Sequence, residues 1–557
     1  MLKYIITSFT LILYATSNCC IYSQTAPDKY LVRFTDKANN PYSTDQPEEF
    51  LSVKAIERRT IQGISIEEND LPVTPSYIES IETLGATVLT SSKWFNAVTI
   101  YASDPLILDD IENLPFVQSV EKTKCLKGSK PVPDKFAFPL LNQDKGICET
   151  NSQDYGLGAN QIQMLNGHIL HDMGFMGEGM DIAVIDAGFR KTDSLAIFDS
   201  LFINGSIKGT KDFVNSGSSF VYDHHNHGTY VLSIIGGNLP GQLVGTAPKA
   251  NYWLLRSEDG ESEYLIEEDN WVAAAEFADS AGVDVINTSL GYKTFNDSTQ
   301  NHVYADMDGN TTRIAIGADI AASKGMIIVS SAGNDGNSPW HYITTPADAD
   351  SILAVGAVDS AGIYAEFSSK GPASDGDIKP DIAAQGQGTY VTGLNGDIFP
   401  GSGTSFAAPI IAGLATCLWQ ANPDASNIHI MNAIRQSASQ YYNPDSLMGY
   451  GIPDFAQANM ILQGIIDVGS DQEILINTFP NPFANKLTIQ FYSTDSQDVI
   501  FEIFDITGRN VFSMNKEFNS NSLNTININE VSGLKQGTYI LKVRTQNNEY
   551  QKVLVKN

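Results

Sequence analysis

Cysteine is scarce in this chain: five residues in 557, two of which, Cys19 and Cys20, fall within the first 24. A framework built on disulfides is therefore excluded. Cys417 lies in an apolar helical run, residues 410–419, and reads as a buried small hydrophobe. Cys125 and Cys148 flank a proline-containing segment and could pair in an oxidising compartment, although nothing in the sequence forces that bond. Positive charge is also short, with 34 Lys and Arg against 64 Asp and Glu, a net charge of −30. So acidic a chain repels phosphate backbones, which argues against a nucleic-acid partner. After residue 24 no apolar run approaches the roughly 18 residues that a membrane span needs, so no transmembrane helix is expected in the mature protein.

What is present can bury a large core: 42% of residues are hydrophobic and 18% charged. At roughly 150 residues per domain the length implies several units. The acidic excess is uneven. Residues 160–460 hold 12 basic and 34 acidic side chains, whereas residues 470–557 hold 8 and 9, so middle and tail read as separate domains.

Residues 1–24 read as a secretory signal: Lys3, an apolar stretch over 4–15, then small and polar residues. Thr16-Ser17-Asn18 before Cys19 is a poor lipobox, so a lipoprotein is rejected. Residues 25–124 alternate strand-like runs (30–34, 87–89, 95–101) with helical ones (76–84, 106–114), a small α+β unit. Residues 125–160, with Lys127-Gly128-Ser129-Lys130-Pro131-Val132-Pro133 near their start, sustain no period and read as a linker open to proteolysis. Over 161–465, apolar runs (182–185, 252–256, 283–290, 326–332, 352–358) alternate with helical stretches, which predicts an α/β fold: a parallel sheet with helices on both faces. Residues 470–557 carry strand-like runs (487–492, 499–504, 539–543, 551–555) separated by turns and read as a small β-sandwich.

Four segments of the middle domain place a polar residue where a strand or helix meets a glycine-rich turn. Asp186 ends the strand 182–185, at the carboxyl end where open α/β sheets put their sites. His227 opens a helix in His227-Gly228-Thr229. Ser405 stands in Gly401-Ser402-Gly403-Thr404-Ser405-Phe406-Ala407-Ala408-Pro409, at the start of an apolar helix, where an N-cap is the ordinary explanation. Asn334 follows a buried strand in Ser331-Ala332-Gly333-Asn334, where a turn asparagine is the ordinary explanation. Together they change the odds. Acyl transfer needs a hydroxyl to attack, an imidazole to take its proton, a carboxylate to hold the imidazole and a donor for the oxyanion.

These segments resemble the subtilisin family of serine peptidases over about 300 residues. Asp186-Ala187-Gly188 is similar to the family's Asp-Ser/Thr-Gly motif with alanine substituted, and the His227 and Ser405 motifs match closely. Agreement extends to Val244-Gly245-Thr246-Ala247-Pro248, Val285-Ile286-Asn287-Thr288-Ser289-Leu290-Gly291 and Gly449-Tyr450-Gly451-Ile452-Pro453. The resemblance implies Ser405 as nucleophile, His227 as general base and acid, Asp186 as orienting carboxylate, and the Asn334 amide with the Ser405 N–H as oxyanion donors. Ser289-Leu290-Gly291 and Ser331-Ala332-Gly333 would pair with an extended peptide substrate. It implies no cofactor for the chemistry and no catalytic metal, and allows structural calcium. Ala187 lacks the family's hydroxyl, so weaker hydrogen bonding beside Asp186 is expected.

The flanks carry resemblances of their own. Residues 25–124 sit where secreted members carry an inhibitory propeptide, which implies a partner within the same chain. Phe479-Pro480-Asn481-Pro482-Phe483, Thr507-Gly508-Arg509 and Gly537-Thr538-Tyr539-Ile540-Leu541-Lys542-Val543 resemble the C-terminal sorting domain of the type IX secretion system. This implies passage through the periplasm and a product that is secreted or held at the outer-membrane surface. The alternative is a surface-displayed binding protein on a degenerate peptidase scaffold, against which the intact Asp186, His227, Asn334 and Ser405 argue.

Two other clusters read as structural. In Asp223-His224-His225-Asn226-His227 neighbouring histidines cannot all converge on one ion from an ordinary turn. Asp306-Met307-Asp308-Gly309-Asn310 begins like a calcium loop, but the glutamate expected at its twelfth position is Gly317. The acidic run 258–269 reads as a solvated loop and helix start, with selection of basic substrates as the second reading.

Overall fold

The computed structural model describes residues 29–124, 135–136, 154–464, 474–479, 482–493, 497–518, 522–528, 530–545 and 549–556. The leader, both Cys125 and Cys148, and most of the expected linker lie outside the described residues. The chain divides into two compact units, residues 1–431 with 438–453 and residues 432–437 with 454–557.

In the first unit, seven short runs rich in Val, Ile and Ala assemble one sheet. They are β5 (Asp181–Asp186), β6 (Ile207–Asp212), β7 (Asn251–Arg256), β8 (Val285–Thr288), β9 (Ile327–Ser331), β10 (Leu353–Val358) and β11 (Ile382–Gln385), preceded by the four strands of the N-terminal part. The order is β11-β10-β9-β8-β5-β7-β6, and every pairing is parallel. Both faces of such a sheet must be covered, which is why β5, β8, β9 and β10 are buried at every position. One face packs on a helix over Thr404–Ala421, the other on helices over Ile266–Ala281 and Arg313–Ser323. The sequence anticipates five of these strands. The edge strands β6 and β11 were not expected, because Lys208, Gly209 and Lys211 break the apolar run of one and the other is only four residues long.

The Thr404–Ala421 helix is, among the described residues, the one long and apolar enough to cross a membrane. It is buried inside the fold instead. Cys417 on this helix is buried and free, its thiol donating to the Thr246 carbonyl at 3.2 Å.

The N-terminal part forms an antiparallel sheet from β1 (Lys29–Phe34), β2 (Thr87–Ser92), β3 (Ala97–Tyr101) and β4 (Val117–Lys124), ordered β2-β3-β1-β4. A helix over Val53–Gln62, absent from the sequence reading, is capped by Ser52 at one end and by left-handed Gly63 at the other. This part sits on the Ile266–Ala281 helix through buried ions. Asp279, on that helix, takes Arg58 at 2.6 Å, Lys93 at 2.8 Å and Arg59 at 3.0 Å. Glu276, one turn earlier, accepts the Ser92 hydroxyl at 2.5 Å and the backbone N–H groups of Lys93 and Trp94 at 2.7 and 3.1 Å. Burial alone would raise the Asp279 carboxyl, but Lys93, Arg58 and Arg59 outweigh it and hold the group well below the usual range. At Glu276 burial prevails and pushes the carboxyl up to about 6.

In the second unit, strands over Ile474–Phe479, Leu487–Ser493 and Ser522–Ile528 form one antiparallel sheet, and strands over Gln497–Asp505, Asn510–Phe518, Gly537–Arg544 and Glu549–Lys556 form another. Leu487, Ile489, Ile526 and Ile528 from the first and Val499, Phe501, Leu541 and Val543 from the second share one core, a small β-sandwich.

Asp279→Ala leaves three buried cations facing one another, and breaking a buried pair costs about 3–5 kcal/mol. The full-length variant should lose that much stability at neutral pH in chemical denaturation. An acid held below its ordinary value contributes fully above that value, here near 3.8, and its contribution is lost as the pH falls further. The gap between wild type and variant should therefore narrow below about pH 4.

Candidate active site

Strand β5 ends in a carboxylate with no exposed surface. Asp186 Oδ1 accepts the N–H of Ala187 at 2.7 Å, and both carboxylate oxygens lie 2.9 Å from Nδ1 of His227. That donor is backbone and would be present with any residue at 187, whereas the family's side-chain hydroxyl is missing here. The turn is fixed further by Arg256, which donates to the Ala187 carbonyl at 3.1 Å and pairs with Asp212 at 2.9 Å. His227 opens the helix His227–Gly236. A Cβ on Gly228 would lie 2.5 Å from the Gly188 carbonyl oxygen and 3.0 Å from Asp186 Cβ, so only glycine lets the helix approach the strand end this closely.

Ser405 is the second residue of the Thr404–Ala421 helix, where backbone N–H groups lack intrahelical acceptors. Its hydroxyl donates to the Ser289 carbonyl at 3.3 Å, and the Ser289 hydroxyl donates back to the Ser405 carbonyl at 2.9 Å. The structure thus joins Asp186 to His227 but points the Ser405 hydroxyl at Ser289. Asn334 Oδ1 accepts the N–H and hydroxyl of Thr404 at 2.8 and 3.0 Å. Those two bonds fix the amide, with its Nδ2 end left for the cleft that Asn334 lines.

A cleft of about 550 Å³ runs past His227, Asn334 and Ser405. Ser289, Leu290 and Gly291 form one wall just beyond β8, and among the described residues no bond claims the Gly291 backbone. Of the stretch 331–333, Ser331 and Gly333 line the cleft and Ala332 does not. Its N–H is bonded to Val355, its carbonyl to Thr344, and its side chain packs beside Ile343 and Ala354. The reason is backbone competition: the N–H continues the pairing of β9 with β10 and the carbonyl is taken by the Thr344 N–H, so the Ala332 backbone is already spent.

The acidic run corrects the expectation of a solvated loop. Glu258, Glu267, Glu268 and Asp269 are all buried. Glu258, Glu263 and Glu267 bring oxygens within 4.8 Å of one another at one end of the cleft, around the ammonium of Lys135. Next to it, the Phe136 ring lies 4.5 Å from the ring of His227 and 4.9 Å from that of His225. Neither Lys135 nor Phe136 was singled out in the sequence. The signal was indirect, a dense acidic run with no base inside it. The histidines diverge: His224 faces Asp212 and Asp223, whereas His225 accepts the His227 N–H. Asp308 bonds its own turn at Asn310 and Thr311, and Gly317 is buried on a helix against Val272. Exposed Asp350, Asp375 and Asp377 form the other described group of converging carboxylates.

Comparisons with known proteins agree along the chain. The model of the subtilase family matches residues 177–451, that of the peptidase S8 propeptide domain of Bacteroidota residues 29–135, and that of the secretion system C-terminal sorting domain residues 477–557. Subtilisin E of Bacillus subtilis is 28% identical over 333 residues, covering 59% of this chain and 77% of its own. The thermostable alkaline protease of Halalkalibacterium halodurans is 27% identical over 347 residues, covering 62% and 83%. Among solved structures, MycP1 from the ESX-1 type VII secretion system is 23% identical, covering 61% of this chain and 96% of its own, with a TM-score of 0.45.

Gly228→Ala should push the helix start away from Asp186, at a cost of about 1–3 kcal/mol from overpacking. A lower Tm together with reduced reaction of Ser405 with a fluorophosphonate would be the expected pair of results.

Proposed function

Residues 177–451 belong to the subtilase family of serine endopeptidases, and we propose that they cut peptide bonds through Ser405, His227 and Asp186 by way of an acyl-enzyme. The observation that carries this reading is the buried Asp186–His227 contact at 2.9 Å, opening on the same cleft as Ser405. With Nδ1 held by the carboxylate, Nε2 keeps the lone pair that accepts the Ser405 proton. The hydroxyl turns from the Ser289 carbonyl toward the imidazole by rotation about its Cα–Cβ bond and attacks the scissile carbonyl. Asn334 Nδ2 and the Ser405 N–H donate to the oxyanion, the more strongly because the helix N-terminus is electropositive. His227 then protonates the leaving amine, and water repeats the sequence to release the acid.

The substrate strand pairs with Ser289, Leu290 and Gly291, where backbone groups remain for it, while Ser331 and Gly333 shape the opposite wall. The N-terminal part, 25–124, is the folding partner and inhibitor, and the segment 125–160 is where it is cut away. Phe136 on the His227 ring supports a shut cleft in the uncut chain. Residues 1–24 direct entry to the periplasm and the tail, 470–557, export by the type IX system to the medium or the outer-membrane surface.

The chemistry draws on no cofactor. Structural calcium would fit the hard oxygens of Asp350, Asp375 and Asp377. Chelation is expected to lower the Tm while the active-site serine still reacts with a fluorophosphonate.

The deciding experiment is fluorophosphonate labelling of the enzyme recovered after full-chain expression. Labelling should vanish in Ser405→Ala. In Asn334→Ala kcat should fall about 10²–10³-fold, the size of effect known for one oxyanion donor in a subtilisin. An unlabelled protein with its N-terminal part removed would sink the peptidase reading.

A further inference from the structure

Three glutamates packed together away from water need a cation, and the cleft shows what kind. Lys135 Nζ lies 2.8 Å from Glu258, 2.8 Å from Glu263 and 3.2 Å from Glu267, and donates to the Ser262 carbonyl at 3.3 Å. Glu258 and Glu267 are 1% and 2% exposed. The pocket is built around these acids. Glu258 also accepts the hydroxyls of Tyr292 and Ser257, and Glu267 the N–H groups of Asp259 and Tyr264 at 2.8 and 3.1 Å. Burial pushes Glu263 up to about 7 even beside Lys135, and Glu267 well up too, so without a cation the carboxylates are poorly tolerated.

Lys135 does not belong to the pocket's own wall. It is the last residue of the matched propeptide region, and the next side chain, Phe136, lies on the imidazole of His227. The pair therefore occupies the cleft as a stretch of peptide would, one side chain over the histidine and the preceding one in the acid pocket. Once that segment is cut and leaves, the pocket loses its cation and another peptide can supply one.

We infer that Glu258, Glu263 and Glu267 form a specificity pocket for a lysine side chain of the substrate, one residue before the side chain that covers His227. The assignment rests on the peptidase reading above. Oxygens from four groups converge on a single nitrogen, which suits the compact ammonium of lysine better than the planar guanidinium of arginine. Arginine is the second choice, and neutral side chains leave buried carboxylates unpaired.

The test uses the enzyme recovered after full-chain expression and peptide libraries varied at each position before the cut, with products located by mass spectrometry. Lysine should dominate at one fixed position, with arginine next. Replacing it by norleucine should lower kcat/KM by at least about 10²-fold, since a site built for a polar group rejects an analogue that lacks it by up to about 10⁴–10⁵-fold. Glu263→Gln, the most exposed of the three, should shrink that ratio about tenfold, chiefly through slower cleavage of the lysine peptide. Titration calorimetry of lysine and norleucine peptides against the same protein reads the pocket independently of hydrolysis. Lysine-dependent binding without labelling of Ser405 would uphold the pocket and reject the catalytic reading alone. Labelling with equal handling of lysine and norleucine would overturn the pocket alone. A lysine preference that appears only after chelation would also overturn it, since the glutamates would then be a divalent-cation site.

Discussion

A carboxylate with no exposed surface must find its donors inside the protein, and Asp186 finds them in its neighbour's amide and in Nδ1 of His227. Much else in the first unit serves that contact. The parallel sheet delivers Asp186 at a strand end, beside the point where the chain crosses from β7 on one side of β5 to β8 on the other. Gly228 lets the helix carrying His227 close on it, and Arg256 pins the turn between. Ser405 and Asn334 reach the same cleft from the next helix and strand, held by Ser289 and Thr404.

The net charge of −30 would suggest acids spread over a solvated surface. Several of them are interior. Asp279 is neutralised by Arg58, Arg59 and Lys93, and the Glu258, Glu263 and Glu267 group by Lys135. All of these cations come from residues before 137. The segments before residue 137 therefore complement the rest of the unit in charge, and on the proposed reading their removal would return buried carboxylates to water or to new partners.

Local patterns made much of this legible. Val- and Ile-rich runs between helical stretches announce a doubly covered parallel sheet, and five of its strands follow from that pattern alone. The polar residues at glycine turns announce the candidate site, because His227 needs Gly228 beside it and Ser405 needs a helix start. Lys208 and Lys211 concealed an edge strand, since an edge has less apolar surface to bury. The run 258–269 looked solvated because a list of acids gives no hint of a base 123 residues away in the chain.

By itself, then, the sequence determined the fold class and the order of the parts and marked the candidate site residues, because each is written in local spacing: strand period, helix start, turn glycine. Tertiary structure decided what depends on distance across the fold. It spent the Ala332 backbone on Val355 and Thr344, pointed the Ser405 hydroxyl at Ser289, and put Lys135 among three glutamates. Charge pairing and backbone competition are settled only when segments far apart in the chain meet, and no local pattern carries that information.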